Sequence, residues 1–480
     1  MKLCIRESVI SKDFLVKTMF SVSFLEIRMK LSVRFGLLLL LAASILPAQT
    51  SQPQTVSLSR AIDLALERNF AIKQAANNVE RDQAGVLSAY GNFTPTVSLN
   101  SSWGGGQQFV NGVGLGEADD RNISTSLGAN LTVFDGFTNT SSFTSAKATA
   151  SSSEFTLART LQSVTAQTQR LYYEVLRTRR LLEVVQLNLQ YSSQQLDRVK
   201  ETARLGSASL VNVYQQQAQV GQDELRVVQA ENDYALAKAN LDSYLAFDVT
   251  TETEFADPSI PVEIDPGDFQ KQKQVTADLR GLVSQAMDRR LDYLSSVQSL
   301  EATDASVTIA RSGYLPRLSA SASYSLNGRT QRDRATAVIT ASEFKDFGVS
   351  RSFSWGLSLS LPIYSGFRTS ESVQRALVAR KNAEEGLRET ERKIQVEVKT
   401  ALLLLEATEK TYEAAVKSLQ YQDQNLKVNQ EKYNVGSGTL LDLLFAQNNY
   451  TNASATRINA VYQYLNAKSQ FELAVGTMQR

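Results

Sequence analysis

The 480-residue chain contains no histidine and a single cysteine. Without histidine, no Ser-His-Asp or Cys-His arrangement for nucleophilic catalysis can form. Zinc sites built on imidazole are excluded as well. The one thiol, Cys4, precedes a stretch that reads as a secretory signal. The mature chain is therefore expected to hold no disulfide and no cysteine-ligated metal. An excess of either charge is also missing, since 50 Lys+Arg stand against 49 Asp+Glu. A nucleic-acid partner, which asks for a basic surface, is not expected. No apolar run reaches the roughly 20 residues of a membrane-spanning helix. Paired carboxylates occur in any chain of this size and single out no site. The expectation is a protein that is not an enzyme and carries no cofactor and no metal.

What is present starts with residues 30–48. Lys30 and Arg34 give a positive start, Phe35 to Ala43 an apolar run, and Ala48 a small residue before a cut. Residues 1–48 thus read as an upstream extension and signal peptide, with Met29 an alternative start to Met1. No cysteine stands at the cut, so a lipid anchor there is not expected.

The rest of the chain is written twice. Leu58, Ala65-Leu-Glu-Arg-Asn69 and Asn92-Phe-Thr-Pro95 recur as Leu279, Ala286-Met-Asp-Arg-Arg290 and Gly313-Tyr-Leu-Pro316. Val133-Phe-Asp-Gly136-Phe recurs as Ile363-Tyr-Ser-Gly366-Phe, and Leu205-Gly206-Ser207 as Val435-Gly436-Ser437. The first repeat is expected at 49–247, with helices at about 57–91, 137–204 and 208–247 and strands at about 95–104 and 123–134. The second is expected at 279–476, with helices at about 279–312, 367–434 and 439–476 and strands at about 315–327 and 352–364. Residues 248–278 form the linker.

Each strand segment alternates apolar with small polar residues, which puts them on opposite faces. In the fourth, Phe353, Trp355, Leu357, Leu359, Leu361 and Ile363 alternate with residues that are mostly serine. Such a segment matches a membrane-spanning strand with a wet inner face. Trp103 and Trp355 are expected at matched heights at the strand ends, and with Tyr324 they are candidate membrane-interface aromatics. A soluble β-sandwich with one solvated face is the alternative. Four strands cannot close a barrel alone, and an open edge in lipid is forbidden. The membrane reading therefore requires an oligomer.

From 137 to 204 there is no proline and no glycine. Val164, Thr168, Leu171, Val175 and Thr178 belong to a heptad seam, which recurs 230 residues later through Ile394, Val398, Ala401, Leu405 and Thr408. A returning helix carries a seam through Tyr214, Ala218, Gly221, Leu225 and Val228. The fold class is mainly α, with long coiled-coil hairpins in two repeats plus four membrane strands.

The duplication, the Pro95 and Pro316 strand entries, the Gly136 and Gly366 strand exits and the Gly206 and Gly436 turns together resemble the TolC-like outer-membrane factor family. The resemblance covers about 57–476. It implies a homotrimer whose three sets of four strands close a 12-stranded barrel in Gram-negative outer-membrane lipid. It implies an α-barrel tube in the periplasm, with 248–278 as an equatorial belt. It further implies a passive duct served by a periplasmic adaptor (membrane fusion) protein and an inner-membrane transporter. The cargo would be small molecules, with type I protein secretion a close variant. A periplasmic coiled-coil scaffold or adaptor without a pore is the competing reading.

By the same resemblance, Leu205, Gly206, Ser207, Val435, Gly436 and Ser437 are candidate adaptor contacts at the tip. Asn212, Tyr433 and Gly438 match a constriction network whose charged members are lost here. Asp442 keeps one acidic ring position, and Phe445 replaces a second. From its residues alone, Thr439-Leu-Leu-Asp442 also reads as a helix-capping box. Pore ring and cap both stay open for Asp442.

Overall fold

The computed structural model describes residues 55–106, 109–110, 113–114, 120–207, 209–248, 253–276, 278–329 and 348–478. The signal segment at 30–48, its start residues and Cys4 lie outside these residues.

Helices dominate. Helices α1 (Leu58–Arg68) and α2 (Phe70–Gly91) lead to strands β2 (Thr96–Gly106) and β3 (Asp120–Phe134). A short strand β1 (Thr55–Val56) precedes them. Helices α3 (Thr138–Arg204) and α4 (Leu210–Tyr244) form the first hairpin. Strand β4 (Glu254–Phe255) and helix α5 (Pro266–Thr276) follow. The second half repeats the scheme with α6 (Leu279–Arg289), α7 (Leu291–Arg311), β5 (Arg317–Arg329), β6 (Gly348–Ser360), α8 (Arg368–Asn434) and α9 (Leu440–Val475). Both α3 and α8 have 67 residues, about 100 Å at ~1.5 Å per residue.

Three expected boundaries are corrected. The helix expected at 57–91 breaks at Asn69, whose extended backbone and side chain cap α2 through Ala71 N–H at 2.9 Å. The helix expected at 279–312 breaks at Arg290, whose backbone is also extended but whose side chain gives no cap bond. The strand expected at 352–364 runs from Gly348 to Ser360. Pro362 has no N–H to give to a ladder, which excludes the stretch around it from the sheet.

The four long strands form one antiparallel sheet in the order β2-β3-β5-β6. Its register puts the apolar residues on one face: Leu99 faces Leu127, Leu127 faces Tyr324, and Tyr324 faces Phe353. The other face carries a hydroxyl ladder, with Ser325 and Ser352 hydroxyls 2.6 Å apart and Ser124 donating to Asn327 at 2.8 Å.

In the sheet the three aromatics fall in different pairing rows. Trp103 pairs with Ile123, Tyr324 with Leu127, and Trp355 with Ala322 in the row of Ala129. Along β3 those rows sit at 123, 127 and 129. Because β6 begins at Gly348, Trp355 lies inside the strand rather than at its loop end.

Sheet and helices join through paired left-handed residues. Gly136 and Phe137 both have positive φ, as do Gly366 and Phe367. A Cβ on Gly136 would lie 2.7 Å from Leu315 Cβ, so close packing as well as φ demands glycine there. For the phenylalanines the conformation costs about 1–2 kcal/mol. T-shaped stacking of Phe137 on Phe134 and of Phe367 on Tyr364 offsets about 0.5–1.5 kcal/mol of it.

The α8 seam is buried through Ile394, Val398, Ala401, Leu405, Thr408, Tyr412 and Ala415. The α4 seam is a correction. Tyr214, Leu225 and Val228 are 67%, 64% and 62% exposed, while α4 buries Val213, Gln216, Asp223, Ala237 and Leu241. The apolar stripe faces away from α3, and polar residues are turned in.

The linker is anchored at both ends. β4 pairs in parallel with β1, and Phe255 stacks on Tyr172, whose hydroxyl donates to Val56 O at 2.8 Å. Farther on, Ile264 N–H donates to the Tyr412 hydroxyl at 3.0 Å, and Phe269 stacks edge-on against Tyr464.

Candidate functional site

The two hairpin turns share one geometry. Helix α3 ends with Gly206 at φ +75, and α8 ends with Gly436 at φ +76. Gly206 N–H donates to Ala203 O and Ser207 N–H to Thr202 O. Gly436 N–H donates to Tyr433 O and Ser437 N–H to Lys432 O. These bonds satisfy the last carbonyls of each helix, and the left-handed position suits only glycine without cost. Leu205, Gly206 and Ser207, and likewise Val435, Gly436 and Ser437, are exposed. Leu205 and Val435 present 66% and 75% of their surface.

A small apolar cluster holds the turns side by side. Val199, Val213 and Leu440 form its centre, with Leu196, Ala203, Tyr433 and Leu444 packed around it. Tyr433 is thus a half-buried packing residue within the chain. Gly438 lets the chain double back on α8: a Cβ there would lie 3.0 Å from Lys432 Cβ, and its N–H donates to Lys432 O. Asn212 lies in the first turn of α4, its N–H donating to Ser209 O at 3.0 Å. Among the candidate constriction residues, Tyr433 and Gly438 are therefore brought together. Asp442 and Phe445 stand apart from the cluster.

Asp442 closes a capping box on α9. Its N–H donates to Thr439 Oγ1 at 3.2 Å, and its Oδ2 accepts from Thr439 N–H at 3.2 Å and from the Thr439 hydroxyl at 2.6 Å. The Thr439 hydroxyl and then its N–H hold this carboxyl below the usual carboxylate value. A lowered folded-state pKa means the cap is at full strength above the ordinary carboxylate range. Its contribution is lost as pH falls through the lowered value. Asp442 and Phe445 are three residues apart, hence on one helix face, and both are exposed beside Leu441. One carboxylate is thus fixed in orientation next to an apolar ring.

Sequence reasoning missed the polar interior between α9 and the α3–α4 hairpin. Asn188, Ser192, Gln195, Gln216 and Asp223 are buried there. Hydrophobic periodicity carries no signal for such residues. The only hint is that the apolar stripe of α4 lies on its other face. Among the described residues no helix is long and apolar enough to cross a membrane, and no cluster of three potential metal ligands occurs.

The chain is similar to known outer-membrane proteins. It is 26% identical over 324 residues to outer membrane protein TolC of Vibrio cholerae, covering 67% of this chain and 69% of that protein. It is 24% identical over 407 residues to protein CyaE of Bordetella pertussis, covering 85% and 81%. The crystal structure of the Campylobacter jejuni CmeC outer membrane channel superposes with a TM-score of 0.71 at 17% identity, covering 95% of this chain and 94% of that one. The outer membrane protein VceC of Vibrio cholerae gives 0.71 at 16%, covering 87% and 96%. The family model described as outer membrane efflux protein matches residues 61–246 and 282–477. The chain belongs to the outer membrane efflux protein family.

Proposed function

We propose that three copies of this chain form a passive duct for small molecules, a 12-stranded barrel in the outer membrane continued by a helical tube in the periplasm. The observation that carries this reading is the open sheet. Among the described residues β2 pairs only with β3, and β6 only with β5, so both edges are free. One face of the sheet exposes Leu99, Trp103, Phe353, Trp355, Leu357 and Leu359. In lipid that face is at home, but the edges must be closed by other copies. The unburied stripe of α4 and exposed Val396 and Leu403 on α8 supply apolar surface for the same neighbours. A pore-free scaffold gives no use to such a sheet.

Residues 49–247 and 279–476 are the two repeats of this duct, 1–48 its leader, and 248–278 a belt around the tube. An inner-membrane transporter and a periplasmic adaptor would drive transport, the adaptor meeting the two exposed glycine turns. The duct itself catalyses nothing. Purified protein in detergent should migrate as a heat-modifiable oligomer and conduct in planar bilayers. A protein that stays soluble without detergent and makes no channel would sink this reading.

Asp442 offers a sharper test. Three Asp442 carboxylates around a narrow entrance would favour cations. Asp442→Asn keeps an oxygen for the Thr439 bonds but removes the charge. It should lower cation selectivity several-fold in bilayers while leaving thermal stability near that of the parent. Unchanged selectivity would leave Asp442 with its capping role alone.

A further inference from the structure

Just beyond the apolar cluster that joins the two turns, the interface of α9 with the α3–α4 hairpin becomes polar. Its members mostly satisfy one another. Gln447 Nε2 and Thr451 Oγ1 both donate to Asn188 Oδ1 at 2.9 Å. Gln216 Nε2 donates to Ser192 O at 2.8 Å. Gln219 Nε2 donates to Asp223 Oδ1 at 3.0 Å. Arg226 Nη1 reaches both Asp223 Oδ1 at 3.2 Å and Asn448 Oδ1 at 3.1 Å.

Three acceptors are left over. Gln216 Oε1, Asp223 Oδ2 and Gln447 Oε1 are buried and have no donor, and the Tyr191 hydroxyl beside them has no partner either. Gln216 and Asp223 are 0% and 1% exposed. Turning the Gln216 amide over does not help, because it would set an oxygen against Ser192 O, which now receives an N–H. Gln447 can turn only together with Asn188, which would then donate to it while Thr451 donates to Gln447 O at 3.0 Å; Gln216 Oε1 and Asp223 Oδ2 lack donors in either arrangement. Gln216, Asp223, Gln447 and Tyr191 all line one cavity of about 10 Å³. That is roughly the room one water molecule needs.

The imbalance has a sign. Against the single Tyr191 hydroxyl stand Gln216 Oε1 and Asp223 Oδ2, which lack donors in either arrangement, and one of them belongs to a carboxylate. Buried acceptors without donors are costly, so an occupant has to bring protons or positive charge. An anion or an apolar group would worsen the deficit. A divalent ion asks for about six or more oxygen ligands, which a cavity with room for one water does not supply.

We propose that this cavity binds one small occupant that brings hydrogen-bond donors or positive charge, a water molecule or a monovalent cation of similar size, held by Gln216 and Asp223 of α4 and Gln447 of α9 beside Tyr191 of α3. The occupant joins three helices at one point. It fastens the first turns of α9 to the first hairpin, a few residues beyond the Asp442 cap.

Crystals of the full chain, soaked in rubidium chloride and recorded at a resolution that shows waters, test this directly. One peak is expected within about 3 Å of Gln216 Oε1 and Asp223 Oδ2. Anomalous signal at that peak identifies a cation, and a peak without it a water. In the cation case, rubidium or sodium chloride should raise the thermal midpoint saturably over choline chloride at equal ionic strength, and Asp223→Asn should abolish the rise. A rubidium peak with no such rise marks an adventitious ion only and overturns the cation arm. In the water case the peak should persist in Asp223→Asn, the water turning to accept from the new N–H₂ while it still donates to Gln216 Oε1, and the thermal midpoint of the parent should not respond to the choice of cation. A parent structure with no peak, or with the three oxygens paired to protein donors, overturns the proposal even if the variant fails to fold.

Discussion

Arginine in place of Leu357 should abolish assembly of the membrane-embedded oligomer, whereas arginine in place of the adjacent Ser358 should leave it intact. The two residues point to opposite faces of β6. Leu357 pairs with Ala320 in the apolar band, and Ser358 pairs with Ser319 on the hydroxyl face. Leu357 is 68% exposed in the single chain, between Trp355 and Leu359. Arg351, six residues earlier on the same face, marks where charge already begins. Near the middle of a bilayer an arginine on the lipid face costs about 2–4 kcal/mol, hence about 6–12 kcal/mol for the three copies proposed above. On the face proposed to line the lumen the same charge would stay in water and alter conductance instead. Yield of heat-modifiable oligomer in the outer-membrane fraction measures the difference. Equal yields for both variants would mean the apolar face does not meet lipid, because an exposed leucine in water tolerates replacement.

Arg290→Met should lower stability by about 3 kcal/mol and loosen the junction of four helices. Arg290 sits at the break between α6 and α7 with 2% of its side chain exposed. Its Nε donates to Asp292 Oδ1 at 3.0 Å, and its Nη1 reaches Glu397 Oε2 on α8 at 2.6 Å and Ala474 O on α9 at 3.4 Å. Arg159 of α3 lies 4.0 Å from the same Asp292. Removing the guanidinium strands two carboxylates. Breaking a fully buried pair costs about 3–5 kcal/mol. The low end applies because Asp292 and Glu397 keep 34% and 36% of their side chains in water. Burial pushes the Asp292 carboxyl up, but the Arg290 hydrogen bond and charge outweigh it and hold the carboxyl low. The stabilisation is therefore present above the ordinary carboxylate range and lost as pH falls through the lowered pKa. In Arg290→Met the thermal midpoint should drop at neutral pH and show a weaker acid dependence than the parent. An unchanged midpoint would show the cluster to be dispensable.

Much of this architecture was legible because the relevant residues are apolar and periodic. Ile394, Val398, Ala401 and Leu405 are buried at their heptad spacing. The glycine turns were legible because Gly206 and Gly436 adopt a conformation other residues avoid. Other features left no such trace. Asn69 and Arg290 break long amphipathic runs, and a polar residue on a helix pattern reads as surface rather than as the cap that Asn69 is or the buried ion-pair centre that Arg290 is. Phe137 and Phe367 adopt left-handed backbone against their own preference, held by neighbouring rings. The pairing rows of Trp103 and Trp355 depend on strand register, which position in the chain does not reveal. On α4 the rule that apolar means buried fails within one chain. The stripe at Leu225 and Val228 awaits neighbours, while Gln216 and Asp223 take the inside.

Helices α3 and α8 are equal at 67 residues, and their turns are held side by side. In the proposed assembly each copy would therefore offer two matching footholds at one rim, multiplied by the number of copies. A partner that spans the rim would engage its footholds as linked events, each raising the effective concentration of the next. Grip of that kind tolerates weak single contacts. Damage to one turn would shorten the lifetime of the attachment without erasing it, and release would require several footholds to let go together.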